Sequence, residues 1–144
     1  MLNMDFFINS VYNALNNDVT LQAYAPSVKV SKGPREINAT TKTYSLQIQP
    51  MSLTEEAITT DGSFNRTFSL DVVGVICTND IELLAGGTGR KSLQNFIEDT
   101  FNALNSIREI SDESQAVAKI DFSRADIDYQ PWPNVAFTIS VSVL

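Results

Sequence analysis

From Asn134 to Leu144 apolar and polar positions alternate strictly. Val135, Phe137, Ile139, Val141 and Val143 have one parity, and Ala136, Thr138, Ser140 and Ser142 have the other. A period of two with β-branched and aromatic residues predicts a half-buried strand, which needs partner strands and a covering layer. Two other segments alternate in the same way. In Lys42 to Gln49, Tyr44, Leu46 and Ile48 share a face, and Pro50 is expected to close the strand because proline cannot donate to the ladder. In Phe64 to Cys77, Phe64, Phe68, Leu70 and Val72 share a face until Val73-Gly74-Val75-Ile76 makes both faces apolar, and a glycine there marks a bulge or close packing.

A period near 3.6 marks two helices. Phe7, Val11, Ala14 and Leu15, widened by Ile8 and Tyr12, predict a helix over residues 4 to 16. Asp5 favours its N-terminus through the helix dipole, and Asn16-Asn17-Asp18 is a stop. Leu93, Phe96, Ile97, Thr100, Phe101, Leu104 and Ile107 predict a second helix over Lys91 to Arg108, lying across the sheet.

The remaining segments read less regularly. Val28 and Val30 alternate, which allows a short strand, and Pro34 argues for either an edge strand or a loop here. Residues 51 to 63 read as a connection ending in the turn signal Asp61-Gly62, with one helical turn begun by Ser52-x-x-Glu55 and with Leu53 and Ile58 exposed if it projects. Ile110 to Gln115 reads as a polar, acidic stretch. Val117 to Gln130 returns to strand, and its apolar parity changes between Phe122 and Ile127, which implies a bulge or bend near Arg124. Pro131-Trp132-Pro133 turns the chain into the last strand. The expected fold is a single α+β domain over residues 1 to 144, a mostly antiparallel sheet of four to five strands with two helices packed against it.

Composition narrows the chemistry. Hydrophobic residues are 43% of 144, enough for one real core, and no apolar run is long enough to span a membrane. The N-terminus lacks the basic start and apolar core of a signal peptide, so a protein made in the cytoplasm is expected. There is no histidine, and Cys77 is the single cysteine, which excludes histidine triads, a disulfide within the chain and cysteine metal clusters. Catalytic residues, metal ligands and cofactors are therefore expected to be absent.

Two motifs tempt and fail. Gly86-Gly87-Thr88-Gly89-Arg90-Lys91-Ser92 looks like a phosphate loop, but Arg90 stands where the loop needs glycine before the lysine. Asp121, Asp126 and Asp128 offer carboxylates without a partner base or nucleophile at a defined spacing. The acceptor-like Asn38-Ala39-Thr40 and Asn65-Arg66-Thr67 lack a secretory context.

Charge is the more informative signal. The net charge is −7, which disfavours a tight grip on duplex DNA. It is unevenly spread. Lys29, Lys32, Arg35 and Lys42 stand against Glu36 alone in residues 28 to 50, whereas eight acids stand against Arg108, Lys119 and Arg124 in residues 93 to 144. Such asymmetry favours head-to-tail association of copies. Arg90 and Lys91 at a helix start oppose the helix dipole, and an acidic partner surface or a phosphate would compensate them. Trp132, on a proline-stiffened turn, is a candidate interface anchor.

In its element order and C-terminal block the chain resembles bacteriophage tail terminator proteins. Asp126-Ile127-Asp128-Tyr129, a polar turn and the alternating run from Val135 to Val143 look like that family's final hairpin, and the long second strand, the amphipathic helix and the acidic balance also fit. The resemblance implies a virion structural protein rather than an enzyme. It implies a ring, commonly a hexamer, that closes the tail tube at its head-proximal end and offers a surface for head joining. Its partners would be further copies of itself, the tail tube protein, a neck or head-completion protein and, in a contractile tail, the sheath. DNA would only pass through the lumen. Head-closure and tail-completion proteins share the outline, and a small ligand-binding domain is the reading from another class. On the ring reading the expected interface residues are Lys29, Lys32, Arg35, Leu53, Ile58, Arg90, Lys91 and Trp132, facing acids from Glu98, Asp99 and the region Glu109 to Asp128.

Overall fold

A computed structural model describes residues 4–24, 27–33, 43–57, 64–77, 91–107, 109–111, 117–122, 126–128 and 134–143. The elements run α1 (Met4–Asn16), α2 (Val19–Gln22), β1 (Lys29–Lys32), β2 (Thr43–Ala57), β3 (Phe64–Cys77), α3 (Leu93–Asn105), β4 (Glu109–Ser111), β5 (Val117–Phe122), β6 (Asp126–Asp128) and β7 (Asn134–Val143). The strands form one sheet in the order β1-β2-β3-β7-β5-β4, with β6 also paired to β7. The class is α+β, as expected. The sheet is mixed rather than purely antiparallel, because β1 runs parallel to β2.

Strand β7 occupies the middle of the sheet. One edge pairs with β3 over Ser69–Cys77, and the other pairs with β5 near its end and β6 near its start. Val135, Phe137, Ile139 and Val141 are buried, and the alternate residues are half-buried. The alternation therefore reads out as one core face and one partly solvated face. On the second face the Ser140 hydroxyl donates to Asp71 Oδ1 at 2.9 Å across the β3–β7 ladder.

Both long helices add their apolar stripes to one core. Phe7, Val11 and Leu15 of α1 and Leu93, Phe96, Ile97 and Leu104 of α3 are buried with Leu46, Ile48, Leu70, Val72, Phe137 and Ile139 of the sheet. Each fully buried large side chain contributes about 1.5–3 kcal/mol by leaving water. Helix α3 is shorter than the predicted Lys91 to Arg108. It starts after Ser92, whose hydroxyl accepts from Asn95 N–H at 3.1 Å while Asn95 Oδ1 accepts from Ser92 N–H at 3.3 Å, and it ends at the cap Ser106. That reciprocal cap satisfies two donors that a helix N-terminus otherwise leaves open.

The structure corrects the reading of residues 50 to 57. Pro50 does not close β2, which runs on to Ala57. No helical turn forms at Ser52. Instead Ser52 pairs with Ser69, Leu53 with Phe68, Glu55 with Arg66 and Ala57 with Phe64. The register slips by one residue between Pro50 and Ser52, leaving Met51 as the extra residue of a bulge. Pro50 is tolerated for a geometric reason. Ile48 turns its carbonyl away from β3, to Gly33 N–H at 2.7 Å. Backbone polar groups alternate sides along a strand, so the nitrogen of Pro50 points the same way. There β1 has already ended, and no ladder bond to β3 is lost.

The bulge also switches the parity of β2. Before it, the even positions Tyr44, Leu46 and Ile48 pair with the core-facing parity of β3. After it, odd positions Leu53 and Ala57 pair with Phe68 and Phe64, which continue that same parity. Since β1 pairs with β2 only up to Ile48 and β7 reaches β3 only from Ser69, residues 52–57 and 64–68 continue, among the described residues, as a two-stranded ribbon. At about 3.4 Å per residue it is roughly 20 Å long.

Smaller differences follow the same logic. The parity change between Phe122 and Ile127 is present as two separate strands. Phe122 pairs with Val141 and Ile127 with Phe137, both core positions of β7, so one residue has been gained between them. Arg124 itself lies outside the described residues. The acidic stretch contributes β4, whose Glu109 pairs with Lys119 of β5. One further helical turn, α2, is capped by Asp18, whose carboxylate accepts from Leu21 N–H at 3.0 Å.

Candidate functional site

Three features bear on function: the basic edge of the sheet, a polar knot above the aromatic core, and an open groove beside α1.

Strand β1 is an edge strand, and it carries Lys29 and Lys32, both exposed. They differ in their surroundings. The Lys32 ammonium donates to Asn9 Oδ1 of α1 and lies 4.9 Å from the centre of the Tyr12 ring, so it ties the edge strand to the helix. Lys29 has no ion-pair partner among the described residues. At the far side of the sheet, the order of strands places β4 with Glu109, then β5 with Lys119 and Asp121, then β6 with Asp126 and Asp128 beside β7, a set in which four acids stand against one lysine. The charge asymmetry along the chain has become an asymmetry across the sheet.

Lys91 behaves differently from expectation. It precedes the cap Ser92 rather than standing inside the helix, and its ammonium is 3.6 Å from Asp99 Oδ2, one of the acids expected to meet another copy. The same ammonium lies 5.7 Å from the centre of the Tyr24 ring. Asp99 also accepts from the Tyr24 hydroxyl at 2.5 Å, and Tyr44 donates to the Lys91 carbonyl at 2.7 Å. Burial, together with the hydrogen bond and the charge of Asp99, pushes the Tyr24 phenol well above its ordinary 10.0. Beneath this knot Tyr24, Tyr44, Phe96 and Phe137 stack through tilted and edge-on contacts of 4.9 to 5.7 Å between centroids. The helix-start cation is therefore compensated within its own chain, and the cluster fixes the start of α3 to β2 and to the segment after α2.

The groove, about 450 Å³, is lined by Asp5, Ile8 and Asn9 of α1, Lys32 and Gly33 at the end of β1, and Ile48 and Pro50 of β2. Gly33 turns the chain with φ of +94°, a conformation that favours glycine. The groove combines an apolar floor with one cation, one carboxylate and one amide.

Of the residues expected at an interface, Lys29 and Lys32 are together on the basic edge, whereas Lys91 precedes the cap of α3 and its carbonyl is bonded to Tyr44 of β2. Leu53 is on the ribbon, paired with Phe68. Arg35, Ile58, Arg90 and Trp132 lie outside the described residues. Sequence reasoning missed the Tyr24–Asp99 contact, which joins residues 75 apart, and nothing local signals it. It also missed the cap Ser92-x-x-Asn95, which a search for a capping residue directly before Leu93 would have found. No helix among the described residues is long and apolar enough to cross a membrane. Compared with known proteins, the chain matches no protein-family model and no curated sequence.

Proposed function

We propose that the chain is a ring-forming structural subunit of a bacteriophage tail, terminating the tube at its head-proximal end and presenting the surface that the head joins. The observation that carries this reading is the separation of charge. A basic strand lies at one edge of the sheet and the acid-bearing strands β4, β5 and β6 lie beyond β7 on the other side. A contact between unlike surfaces, repeated by rotation, closes into a ring, and opposite charge sets its direction. The hairpin of β6 and β7 agrees with the C-terminal block that carries the resemblance. An acidic subunit also suits a lumen through which DNA slides without being held.

The experiment is reconstitution with tails assembled without this protein. Wild-type chain caps them and lets heads join. The Lys29→Glu, Lys32→Glu, Arg35→Glu triple variant caps them poorly. If wild-type chain ignores the tails, the assignment is wrong; if the triple variant caps normally, the basic segment is a solvated face. The groove beside α1 favours a second reading, a small ligand-binding domain. That reading requires a small molecule to raise the melting temperature of the isolated chain.

A further inference from the structure

We infer that the groove beside α1 binds a dipeptide with free termini and apolar side chains, its ammonium against Asp5 and its carboxylate against Lys32 and Asn9. Such a site rests on the small-ligand reading of this groove and is independent of ring formation.

Charge selects the ligand. Asp5 and Lys32 line the same groove, so a ligand with a single charge is attracted by one of them and repelled by the other. A neutral ligand strips water from both and gives no charge in return. A ligand that carries both signs answers both. The described partners of Lys32, the Asn9 amide oxygen and the Tyr12 ring, are uncharged and leave its positive charge uncancelled. Its ammonium spends one proton on Asn9 and keeps the others to donate. Asn9 accepts through its oxygen, so its NH2 group is turned to donor work beside the same ammonium. A carboxylate has about four acceptor positions, so a contact that Asp5 makes within the chain still leaves it able to accept from a ligand.

Spacing selects the length. Asp5 and Asn9 lie one turn apart on α1, roughly 6 Å along the axis at about 1.5 Å per residue. An extended peptide covers about 3.3–3.6 Å per residue, so two residues separate their terminal charges by about that turn and one residue is too short. Between the charged groups, Ile8 and Pro50 over Ile48 offer apolar surface to the side chains. The volume of about 450 Å³ falls within the range of about 300–1,000 Å³ that small ligands occupy.

The test is a titration of the isotope-labelled full chain followed by amide NMR shifts. L-leucyl-L-leucine is compared with its N-acetyl form, which lacks the cation, its C-terminal amide, which lacks the anion, and L-leucine, which lacks the length. Each is taken to roughly 10 mM, above the millimolar affinity that ligands of this size reach. The expected result is movement of the Asp5, Ile8, Asn9, Lys32 and Gly33 amides, with the free dipeptide bound about tenfold more tightly than the other three, a factor worth about 1.4 kcal/mol. Asp5→Asn removes the preference over the acetylated form and keeps the preference over the amide; Lys32→Gln does the opposite. Circular dichroism checks that both variants fold, and if Lys32→Gln, which unties β1 from α1, does not, Asp5→Asn decides alone. Shifts elsewhere on the chain, or variant effects exchanged between the two analogues, overturn the assignment. Equal or tighter binding of an analogue in the groove sinks the dipeptide and leaves a small-ligand site standing. A groove silent to every probe sinks the dipeptide as well, and the small-ligand reading falls with it unless another small molecule raises the melting temperature.

Discussion

Phe137 lies over Gly74. The two residues are paired across the β3–β7 ladder, and a Cβ placed on Gly74 would come within 2.2 Å of the Phe137 ring. The ring in turn meets Phe96 of α3 edge-on, with centroids 5.2 Å apart. A missing side chain in the middle of the sheet is thus the space into which the helix layer is keyed.

Gly74→Ala is expected to lower stability by about 1–3 kcal/mol through overpacking, which for a chain of this length is a fall of roughly 3–10 °C in melting temperature. Phe137→Leu in the same chain should recover part of that loss, because the two residues share one space. Calorimetry of the two single variants and the double variant checks it. Strictly additive losses would show that the ring does not depend on the glycine.

Register in the last strand predicts an asymmetric pair. Ile139 is fully buried, whereas Ser140 is half-buried on the opposite face beside Asp71. Ile139→Lys should abolish soluble folding, since it buries an unpaired charge. Ser140→Lys should be tolerated, with the ammonium beside the carboxylate of Asp71. Soluble yield and circular dichroism distinguish the two, and equal tolerance would contradict the register.

The bulge at Met51 makes deletions unequal. Removing Met51 should preserve every pair of the β2–β3 ladder, because Pro50 would still meet Leu70 and Ser52 would still meet Ser69. Removing Gln47 should shift the core-facing parity of one half of β2 onto the wrong face, with loss of folding. Thermal unfolding of the two deletion variants tests this, and an unfolded Met51 deletion would mean that the bulge itself is required.

Tyr24 gives the chain an alkaline limit. Its phenol is raised in the folded state by burial first and by Asp99 second. A raised folded value means that its stabilising contribution is complete below the ordinary value of 10.0 and is lost as pH rises past it, since the unfolded chain ionises first. Tyr24→Phe should remove that slope, and at neutral pH should cost about 0.5–1.5 kcal/mol for the lost hydrogen bond. Denaturant titrations at neutral and alkaline pH measure both effects. An unchanged slope in Tyr24→Phe would assign the alkaline loss elsewhere.

What was legible in the sequence was whatever has a short period. The alternation of β7, the stripe of α3 from Leu93 to Leu104 and the parity change after Phe122 are all local patterns, and all are present. Pro50 misled because the rule against proline in strands depends on which side its nitrogen faces, and that depends on where β1 ends, a non-local fact. The parallel pairing of β1 with β2 and the strand order were invisible for the same reason. For the candidate site, sequence order exposed the charge asymmetry but not its arrangement. Lys91 looked uncompensated because its partner Asp99 is two turns along α3, where a helical pairing from outside the helix is hard to read.

The position of β7 has a consequence for how the chain is made. It is the last element among the described residues, yet it joins β3 to β5 and β6. Until it leaves the ribosome, β3 has only β2 beside it, and the apolar faces of α1 and α3 have no completed floor. At about 5–20 residues per second the earlier elements wait several seconds for their central strand. A chain interrupted before Asn134 lacks Val135, Phe137, Ile139 and Val141, the row of buried side chains that lies between β3 and the strands β5 and β6. The sheet therefore closes last at its middle rather than at an edge.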